Sequence, residues 1–281
     1  MTRPLLVIDG DSLSHRAYHA LPKKAFRRTD GGPGNMLVGF SNFLMRLWQT
    51  EEPRAVLVGW DSLDSPTYRH ELFAGYQSGR EFEAELLEQL DRMPDLVRAF
   101  GFAAAKGAGY EADDFLAAAV LQEEKRGGTA VVATSDRDSF QLASDQTTIL
   151  QPVRGVSELV RVGPAEVRER YGVEPGQVPD FIALRGDPSD RLPGAKGVGP
   201  KTAAQLLAQY GSLEAMLEGG RFEAQAEELR MYRRMATLDA SAPLPPLADQ
   251  TPQWAEASSF FRDLGLGAQA DKVAALAEPG R

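Results

Sequence analysis

Three short apolar runs, each ending in an acid, constrain the fold of this chain more than any other feature. They are LLVID at 5–9, AVLVGWD at 55–61 and TAVVATSD at 129–136. Continuous runs of this kind, rich in Val and Ile, are typical of strands in a parallel sheet that is covered on both faces. Helical patterns lie between them, at 36–49, 82–100 and 112–125. The alternation predicts an α/β fold with a mostly parallel, twisted sheet flanked by helices.

The character of the chain changes after about residue 160, where prolines punctuate short helical patterns and strand-like runs disappear. We expect helices at 164–171, 177–184, 200–209, 212–218 and 222–238, then a proline-rich loop at 242–252 and a last helical piece around 254–276. The sequence therefore predicts an α/β domain at 1–162 and a helical region at 163–281, packed on the sheet.

Composition bounds the chemistry. The 281 residues are 43% hydrophobic, with three Trp and 13 Phe, which is ample for a core. Cysteine is absent, which excludes disulfides, thiol nucleophiles and zinc–thiolate sites. The apolar runs fall short of the roughly 18–20 residues that span a bilayer, and the N-terminus lacks a signal-peptide pattern. We expect a soluble, cytoplasmic monomer that has no membrane partner.

Acids form the strongest functional signal. Asp9, Asp61 and Asp136 each follow a predicted strand, and the carboxyl ends of parallel strands meet at one edge of a sheet. Six more acids occur in short motifs: Glu111, Asp113 and Asp114 at a helix start, Asp138 two residues after Asp136, and Asp187 with Asp190 in a proline-bounded loop. Glu111 and Asp114, three residues apart, are expected on one helical face.

These nine carboxylates would repel one another strongly without cations, and all-oxygen ligation suits Mg²⁺ or Mn²⁺. Two such ions about 4 Å apart can clamp the attacking and leaving oxygens of a phosphodiester. The alternative is ordinary: an acid after a strand is often a turn or N-cap residue, and an Asp pair at a helix start often complements the helix dipole. The joint pattern favours a metal site.

A glycine hairpin follows the last acids. Gly197-Val198-Gly199-Pro200-Lys201-Thr202 opens into an alanine- and leucine-rich helix. Glycines permit close approach, and a helix N-terminus presents free N–H groups, so this segment suits a phosphate backbone. A glycine-stopped link between helices is the structural alternative. The formal charge of −9 argues against a nucleic-acid partner, but the objection weakens if many of the acids belong to one metal site.

Seven motifs in order resemble those of the bacterial 5′-nuclease family, which comprises the 5′→3′ exonuclease domain of DNA polymerase I and stand-alone flap endonucleases. They are Ile8-Asp9-Gly10, His15-Arg16-Ala17-Tyr18-His19-Ala20-Leu21, Tyr68-Arg69-His70-Glu71-Leu72, Gly109-Tyr110-Glu111-Ala112-Asp113-Asp114, Asp136-Arg137-Asp138, Gly186-Asp187-Pro188-Ser189-Asp190 and the hairpin. The resemblance implies a PIN-like fold, a helical arch at about 66–95 and a helix–three-turn–helix subdomain containing the hairpin at 194–202.

The resemblance also implies roles for individual residues. Asp9, Asp61, Glu111, Asp113 and Asp114 would hold or orient a first divalent ion, with Asp136 shared or close by. Asp138, Asp187 and Asp190 would serve a second, partly through water. Asp9, Asp113, Asp136 and Arg80 would be catalytic. Arg16, Tyr76, Arg80, Gly197, Gly199, Lys201 and Thr202 would contact DNA, Tyr76 by stacking on the base near the cut. The family often places a monovalent cation such as K⁺ on carbonyls of the hairpin at 194–199.

The chain departs from the family in the arch, where Gln77 stands in place of a Lys that commonly follows the Tyr. A neutral amide cannot stabilise phosphate charge as an ammonium would, so the loss of the Lys would either lower the rate or shift its role to Arg80 or Arg69. The basic cluster of Lys23, Lys24, Arg27 and Arg28 is either a solvated face or a DNA contact.

We therefore expect a Mg²⁺-dependent, structure-specific 5′ nuclease of DNA replication and repair. Its substrate would be DNA with a junction between a 5′ single strand and a duplex. We expect it to be stand-alone, although a fragment of a longer polymerase would read the same way. The alternatives are a DNA-binding protein of the same fold with weakened or lost cleavage, motivated by Gln77, and a ribonuclease, which the duplex-gripping hairpin disfavours.

Overall fold

The computed structural model describes residues 3–62, 65–73, 75–76, 82–154 and 158–277. Within them, one six-stranded sheet forms the centre of the α/β part. Its strands are β1 (Leu5–Asp9), β2 (Ala55–Trp60), β3 (Ala103–Lys106), β4 (Ala130–Ala133), β5 (Thr147–Arg154) and β6 (Glu158–Val162). The order is β3-β2-β1-β4-β5-β6, parallel throughout except for the antiparallel β5–β6 pair at the edge. The predicted mostly parallel sheet is confirmed.

The helices are α1 (Gly10–Ala20), α2 (Asn35–Glu51), α3 (Tyr68–Leu72), α4 (Ala84–Ala99), α5 (Ala112–Lys125), α6 (Pro164–Tyr171), α7 (Val178–Arg185), α8 (Pro200–Tyr210), α9 (Leu213–Glu218), α10 (Ala226–Ala236), α11 (Trp254–Asp263) and α12 (Gly267–Ala274). The helical patterns predicted from the sequence thus correspond to observed helices. The sequence did not predict α1 or the strands β3, β5 and β6. None of the described helices combines the length and apolar character needed to cross a membrane.

Alternation along β1 shows why the apolar runs are continuous. Leu5 and Val7 pack into a core with α5 and the helices α7 to α10, whereas Leu6 and Ile8 pack into a second core with α1, α2 and α4. All four side chains are fully buried. Because helices cover both faces of the sheet, neither set of positions needs to be polar.

The helical region divides between the two faces of the sheet. Helices α7 to α10 share the core that contains Leu5 and Val7, but α11 and α12 pack beside α4 in the other core. The segment 242–252 connects them past β2, where Gln250 N donates to the Arg54 carbonyl at 2.8 Å and Val56 N donates to Gln250 Oε1 at 2.7 Å. The last two helices therefore lie across the sheet from the glycine hairpin, although both fall within the region 163–281.

Two glycines fix the start of the hairpin. Gly186 and Gly194 have φ of +80° and +75°, and a Cβ on Gly194 would lie 2.4 Å from Gly186 N. Side chains are strained in this left-handed region, and there is no space for one here. The loop is closed by Asp187 and Leu192, whose backbones exchange hydrogen bonds of 2.8 and 2.9 Å. The acids at 187 and 190 and the hairpin are thereby held in one compact turn.

Candidate active site

A cavity of about 1100 Å³ opens at the carboxyl ends of β1, β2 and β4. Within the described part of the chain, the carboxylates that line it are Asp9, Asp11, Asp61, Glu111, Asp113, Asp136, Asp138, Asp187 and Asp190. The cavity thus gathers acids from the three predicted strand ends, from the start of α5 and from the loop before the hairpin. Their convergence follows from the parallel sheet, which brings successive strand ends to one edge.

Asp9 lies at the centre of this edge and is 5% exposed. Its Oδ1 accepts from Ser12 N at 2.9 Å, capping α1, and its Oδ2 accepts from the Thr134 hydroxyl at 2.7 Å. Burial raises the pKa of Asp9 to about 7, and the nearby Asp61 and Asp136 charges act in the same direction, against these two hydrogen bonds. The carboxyl is therefore fixed in orientation while its negative charge is poorly solvated.

Asp61 and Asp11 are linked to each other. Asp61 Oδ1 accepts from Ala112 N at 2.7 Å, at the first residue of α5, and Asp61 N donates to Asp11 Oδ2 at 2.7 Å. Burial, and then the Asp61 charge, raise the pKa of Asp11 well above its usual range. Asp11 was not among the predicted site residues. The sequence did hint at it, because Asp11 lies two residues after Asp9. An acid in the first turn of a helix, however, is commonly explained by its favourable interaction with the helix dipole.

Glu111 is held by the base of the predicted arch. Its Oε1 accepts from the Thr67 hydroxyl and its Oε2 from the Tyr76 hydroxyl, both at 2.9 Å, and the Arg69 guanidinium lies 3.4 Å from Oε2. Burial raises the pKa of Glu111, and Arg69 acts against this shift. Three side chains from 67–76 thus set the position of an acid on α5.

Asp114 does not line the cavity. It is fully buried, and Arg69 binds it through two hydrogen bonds, of 2.9 Å to Oδ1 and 3.0 Å to Oδ2. The same two oxygens accept from Asp239 N at 2.8 Å and Glu111 N at 3.0 Å. Donors from the protein already occupy both of its oxygens, which argues against direct binding of a metal by Asp114 and leaves it the orienting role, through Arg69 and Glu111 N. Spacing three residues from Glu111 predicted a shared helical face but not this capping contact.

Asp113 carries the clearest sign of a missing partner. Its Oδ1 is buried and has no hydrogen-bond partner among the described residues. Burial raises the pKa of Asp113 well above its usual range, and the charges of Asp136, Asp9 and Asp61 add to the shift. A buried acceptor without a donor is costly in a protein interior, and a bound cation would remove that cost.

The acids after β4 form a local chain of hydrogen bonds. Asp136 N donates to the Thr134 hydroxyl and Asp138 N donates to Asp136 Oδ1, both at 2.9 Å. Burial raises the pKa of both acids, and the pKa of Asp138 is raised further by the charges of Asp136, Asp190 and Asp187. Asp136 and Asp138 thus line the same cavity as Asp9, Asp61 and the acids at the start of α5.

The donor set fits a hard divalent ion. It is built from carboxylate oxygens and includes the orphan Asp113 Oδ1. Burial, and after it the charges of neighbouring acids, raise the pKa values of Asp9, Asp113 and Asp138, as expected of a site completed by cations. Across the described ranges, no group of three or more His, Asp or Glu side chains is already arranged as a metal site. Side-chain adjustment would therefore accompany metal binding.

The hairpin presents an open surface. Gly197 has φ of +78°, and added Cβ atoms at Gly197 or Gly199 would meet nothing within 4 Å. Gly199 is the N-cap of α8, and Lys201 and Thr202 are exposed in its first turn. The protein thus leaves space beside the backbone at Gly197 and Gly199, and contact of this hairpin with a nucleic-acid strand stays a prediction.

Other predicted contact residues have different environments. Arg16 is half-buried and its Nε donates to the Ser135 hydroxyl. Tyr76 is only 4% exposed, with its ring edge-on to His70. The stacking of Tyr76 on a base stays a prediction, but the burial of its ring argues against it, although Tyr76 lines the cavity. Arg80 and Gln77 lie outside the described residues.

Much of the basic cluster at 23–28 is engaged within the protein. Lys23 pairs with Glu83 and Glu85, and Arg28 is buried against Asp30 and Glu88. Arg27 donates to the Gly31 carbonyl at 2.7 Å. The pairs of Lys23 and Arg28 connect the loop after α1 to the start of α4. They favour a structural role for these two cations over a DNA contact.

Two family models together match most of the chain. The model described as 5′-3′ exonuclease, N-terminal resolvase-like domain, matches residues 4–172, and the one described as 5′-3′ exonuclease, C-terminal SAM fold, matches 173–256. Among curated relatives, DNA polymerase I of Mycobacterium leprae is 43% identical over 77% of this chain, and that of Bacillus subtilis is 33% identical over 96%. The chain spans only 24% and 32% of those two proteins.

Solved structures share the fold at low sequence identity. The T5 5′-exonuclease with bound zinc aligns with a TM-score of 0.70 at 18% identity, covering 98% of this chain and all of that one. The catalytic core of Rad2 in complex with DNA substrate aligns at 0.63 and 15%, covering 98% and 92%. With the family models, these alignments confirm the predicted fold class, including the helical subdomain after the sheet.

Proposed function

The chain belongs to the 5′-3′ exonuclease family, and we propose that it hydrolyses DNA phosphodiesters at junctions between a 5′ single strand and a duplex. As a 5′-3′ exonuclease it falls in the class of metal-dependent phosphodiesterases, and the predicted enzyme class is confirmed at that level. The preference for a junction, the balance of exonuclease and flap endonuclease action and the part played in DNA replication and repair belong to the proposal.

One observation carries it: a cavity lined by nine carboxylates adjoins an open glycine hairpin through a single compact turn. The first feature suits divalent ions, and the second suits a phosphate backbone. Relatives of the same fold support the pairing, since a T5 D15 flap endonuclease, 17% identical with a TM-score of 0.69, is described in complex with DNA and metal ions.

We assign two divalent ions, Mg²⁺ or Mn²⁺, to this cavity. Residues that would hold them are Asp9, Asp11, Asp61, Glu111, Asp113, Asp136, Asp138, Asp187 and Asp190, which leaves Asp114 out. When bound, such ions supply Lewis acidity at the scissile phosphate and make an attacking water more acidic. A monovalent cation such as K⁺ on the carbonyls of 194–199 is a further part of the proposal.

The chain's own groups orient the acids and the DNA. Thr134 and Ser12 fix the two oxygens of Asp9, and Thr67 with Tyr76 fixes those of Glu111. Peptide N–H groups at the start of α8 and the Lys201 ammonium meet phosphates of the duplex without reading bases. Because DNA is the proposed substrate, we also propose a cytoplasmic location.

The test is to separate cutting from binding. In the presence of Mg²⁺, Asp136→Asn should abolish cleavage of a 5′-flap DNA while binding of the same DNA is retained. Asp263→Asn, an exposed acid of α11 across the sheet, is the matched control and should cut normally. Full activity of Asp136→Asn would refute its placement in the metal site.

The alternative function, DNA binding with weakened or lost cleavage, is motivated by the neutral Gln77. The described structure argues against it, because eight of the nine predicted acids, all but Asp114, line one cavity together with Asp11. A wild-type protein that binds flap DNA tightly and leaves it uncut in both Mg²⁺ and Mn²⁺ would establish this alternative.

A further inference from the structure

An exposed aromatic ring stands on the wall of the acidic cavity. Among the described residues, three large hydrophobic side chains are exposed: Phe82 at 37%, Leu121 at 38% and Val153 at 56%. Single exposed apolar side chains are common on protein surfaces and need no explanation. Phe82 differs from the other two because it lines the cavity, where acids predominate among the charged side chains.

The ring of Phe82 has a defined setting. The His15 ring lies beside it, with ring centroids 5.2 Å apart and an interplanar angle of 56°. The next residue, Glu83, is the N-cap of α4 and accepts hydrogen bonds from the Tyr18 hydroxyl and the Lys23 ammonium. Phe82 is therefore anchored by its neighbours while much of its ring remains open to the cavity.

A nucleobase fits this surface better than other parts of the substrate. Nine carboxylates line the same cavity, so an anionic phosphate placed on this ring would need cations, whereas the face of a base carries no net charge. Bases stack on aromatic side chains regardless of sequence, and only an unpaired base has a free face to offer. Tyr76, the aromatic residue that the sequence suggested for this task, is buried with its hydroxyl on Glu111.

We propose that Phe82, whose ring contacts His15, stacks on an unpaired base next to the scissile phosphodiester and so selects strands with single-stranded character at that position. The proposal rests on the proposed nuclease function and deepens it. It makes Phe82 a specificity-determining residue: stacking favours an unpaired nucleotide beside the metal site, while the hairpin holds the duplex.

Binding of a fluorescent base tests the contact without requiring cleavage. A flap DNA carrying 2-aminopurine at the unpaired junction position is titrated with protein in Ca²⁺ and followed by fluorescence quenching. Phe82→Ala should bind about 5- to 150-fold more weakly than wild type, the range that loss of one base–aromatic stack implies, and should lose the quenching. Phe82→Trp should restore both, and Leu121→Ala, equally exposed but outside the cavity, should match wild type.

Cleavage in Mg²⁺ is the second experiment. It compares the intact flap DNA with a matched flap that is abasic at the same position. Wild type should prefer the intact flap, and Phe82→Ala should cut the two alike. If Phe82→Ala keeps the quenching, the affinity and the wild-type preference, the stacking proposal is wrong while the nuclease function stands. If wild type cuts neither flap, the nuclease function fails, and the fluorescence arm still decides whether Phe82 contacts a base.

Discussion

Replacing Arg69 by Met should destabilise the protein severely. The Arg69 side chain is 3% exposed and pairs with the fully buried Asp114, while its Nε donates to the Met235 carbonyl at 3.0 Å. The substitution leaves a carboxylate buried without its cation. Breaking a buried pair from one side costs about 3–5 kcal/mol, a large part of the roughly 5–15 kcal/mol that stabilises a typical folded protein.

Thermal unfolding followed by circular dichroism measures this effect. For a chain of this size, each kcal/mol shifts the midpoint by about 2–4 °C, so a fall of roughly 6–20 °C is expected. Arg98→Met removes an exposed cation paired with Asp95 three residues earlier and should have little effect. The double variant Arg69→Met/Asp114→Leu should recover part of the loss, because no buried charge remains.

Cleavage activity of the same variants distinguishes a role of Arg69 in stability from a role in positioning the acids of the cavity. Arg69 also lies 3.4 Å from Glu111 Oε2 and connects α3 to the end of α10. The double variant should therefore remain impaired in cleavage even where its stability is recovered. If Arg69→Met unfolds at the wild-type temperature, the argument that its buried pair with Asp114 stabilises the fold is refuted. If the double variant regains full activity, the argument that Arg69 positions Glu111 is refuted.

Three further outcomes are expected. Gly194→Ala should lower thermal stability and duplex binding together, because its Cβ would lie 2.4 Å from Gly186 N, whereas Gly199→Ala should fold normally; equal melting of both variants would contradict this. Millimolar Mg²⁺ should stabilise wild type, by about 2.7 kcal/mol at 100 times its Kd, and so raise its unfolding temperature. The unfolding temperature of Asp113→Asn should rise less; identical shifts would exclude Asp113 as a ligand. Lys201→Ala should weaken duplex binding for all sequences and reduce the slope of log affinity against log salt by about one; an unchanged slope would show that Lys201 contacts no phosphate.

Much of the fold followed from local patterns. The runs that became β1, β2 and β4 were recognisable because strands buried on both faces are apolar throughout, and their order placed Asp9, Asp61 and Asp136 together. The weaker strands lacked this signal. β3 reads AAAK, without β-branched or aromatic residues, and β5 contains Gln151 and Pro152, which interrupt the apolar run beside the edge strand.

The roles of individual site residues were harder to predict where they depend on contacts with residues distant in the sequence. Asp113 and Asp114 are adjacent acids at one helix start, yet Asp113 faces the cavity and Asp114 faces Arg69. Only the packing of α3 and of residue 239 against α5 separates them. Tyr76 and Phe82 pose the same problem, because burial and not residue type determines which ring a base can reach.

The most direct test of the central claim is to map the products of wild-type protein on a 5′-flap DNA with and without divalent ion. We expect a Mg²⁺-dependent cut at the junction of flap and duplex, absent in chelator, while a matched RNA substrate stays uncut. Tight binding of the flap DNA without any cut in Mg²⁺ or Mn²⁺ would contradict the claim that this acidic cavity is a nuclease centre.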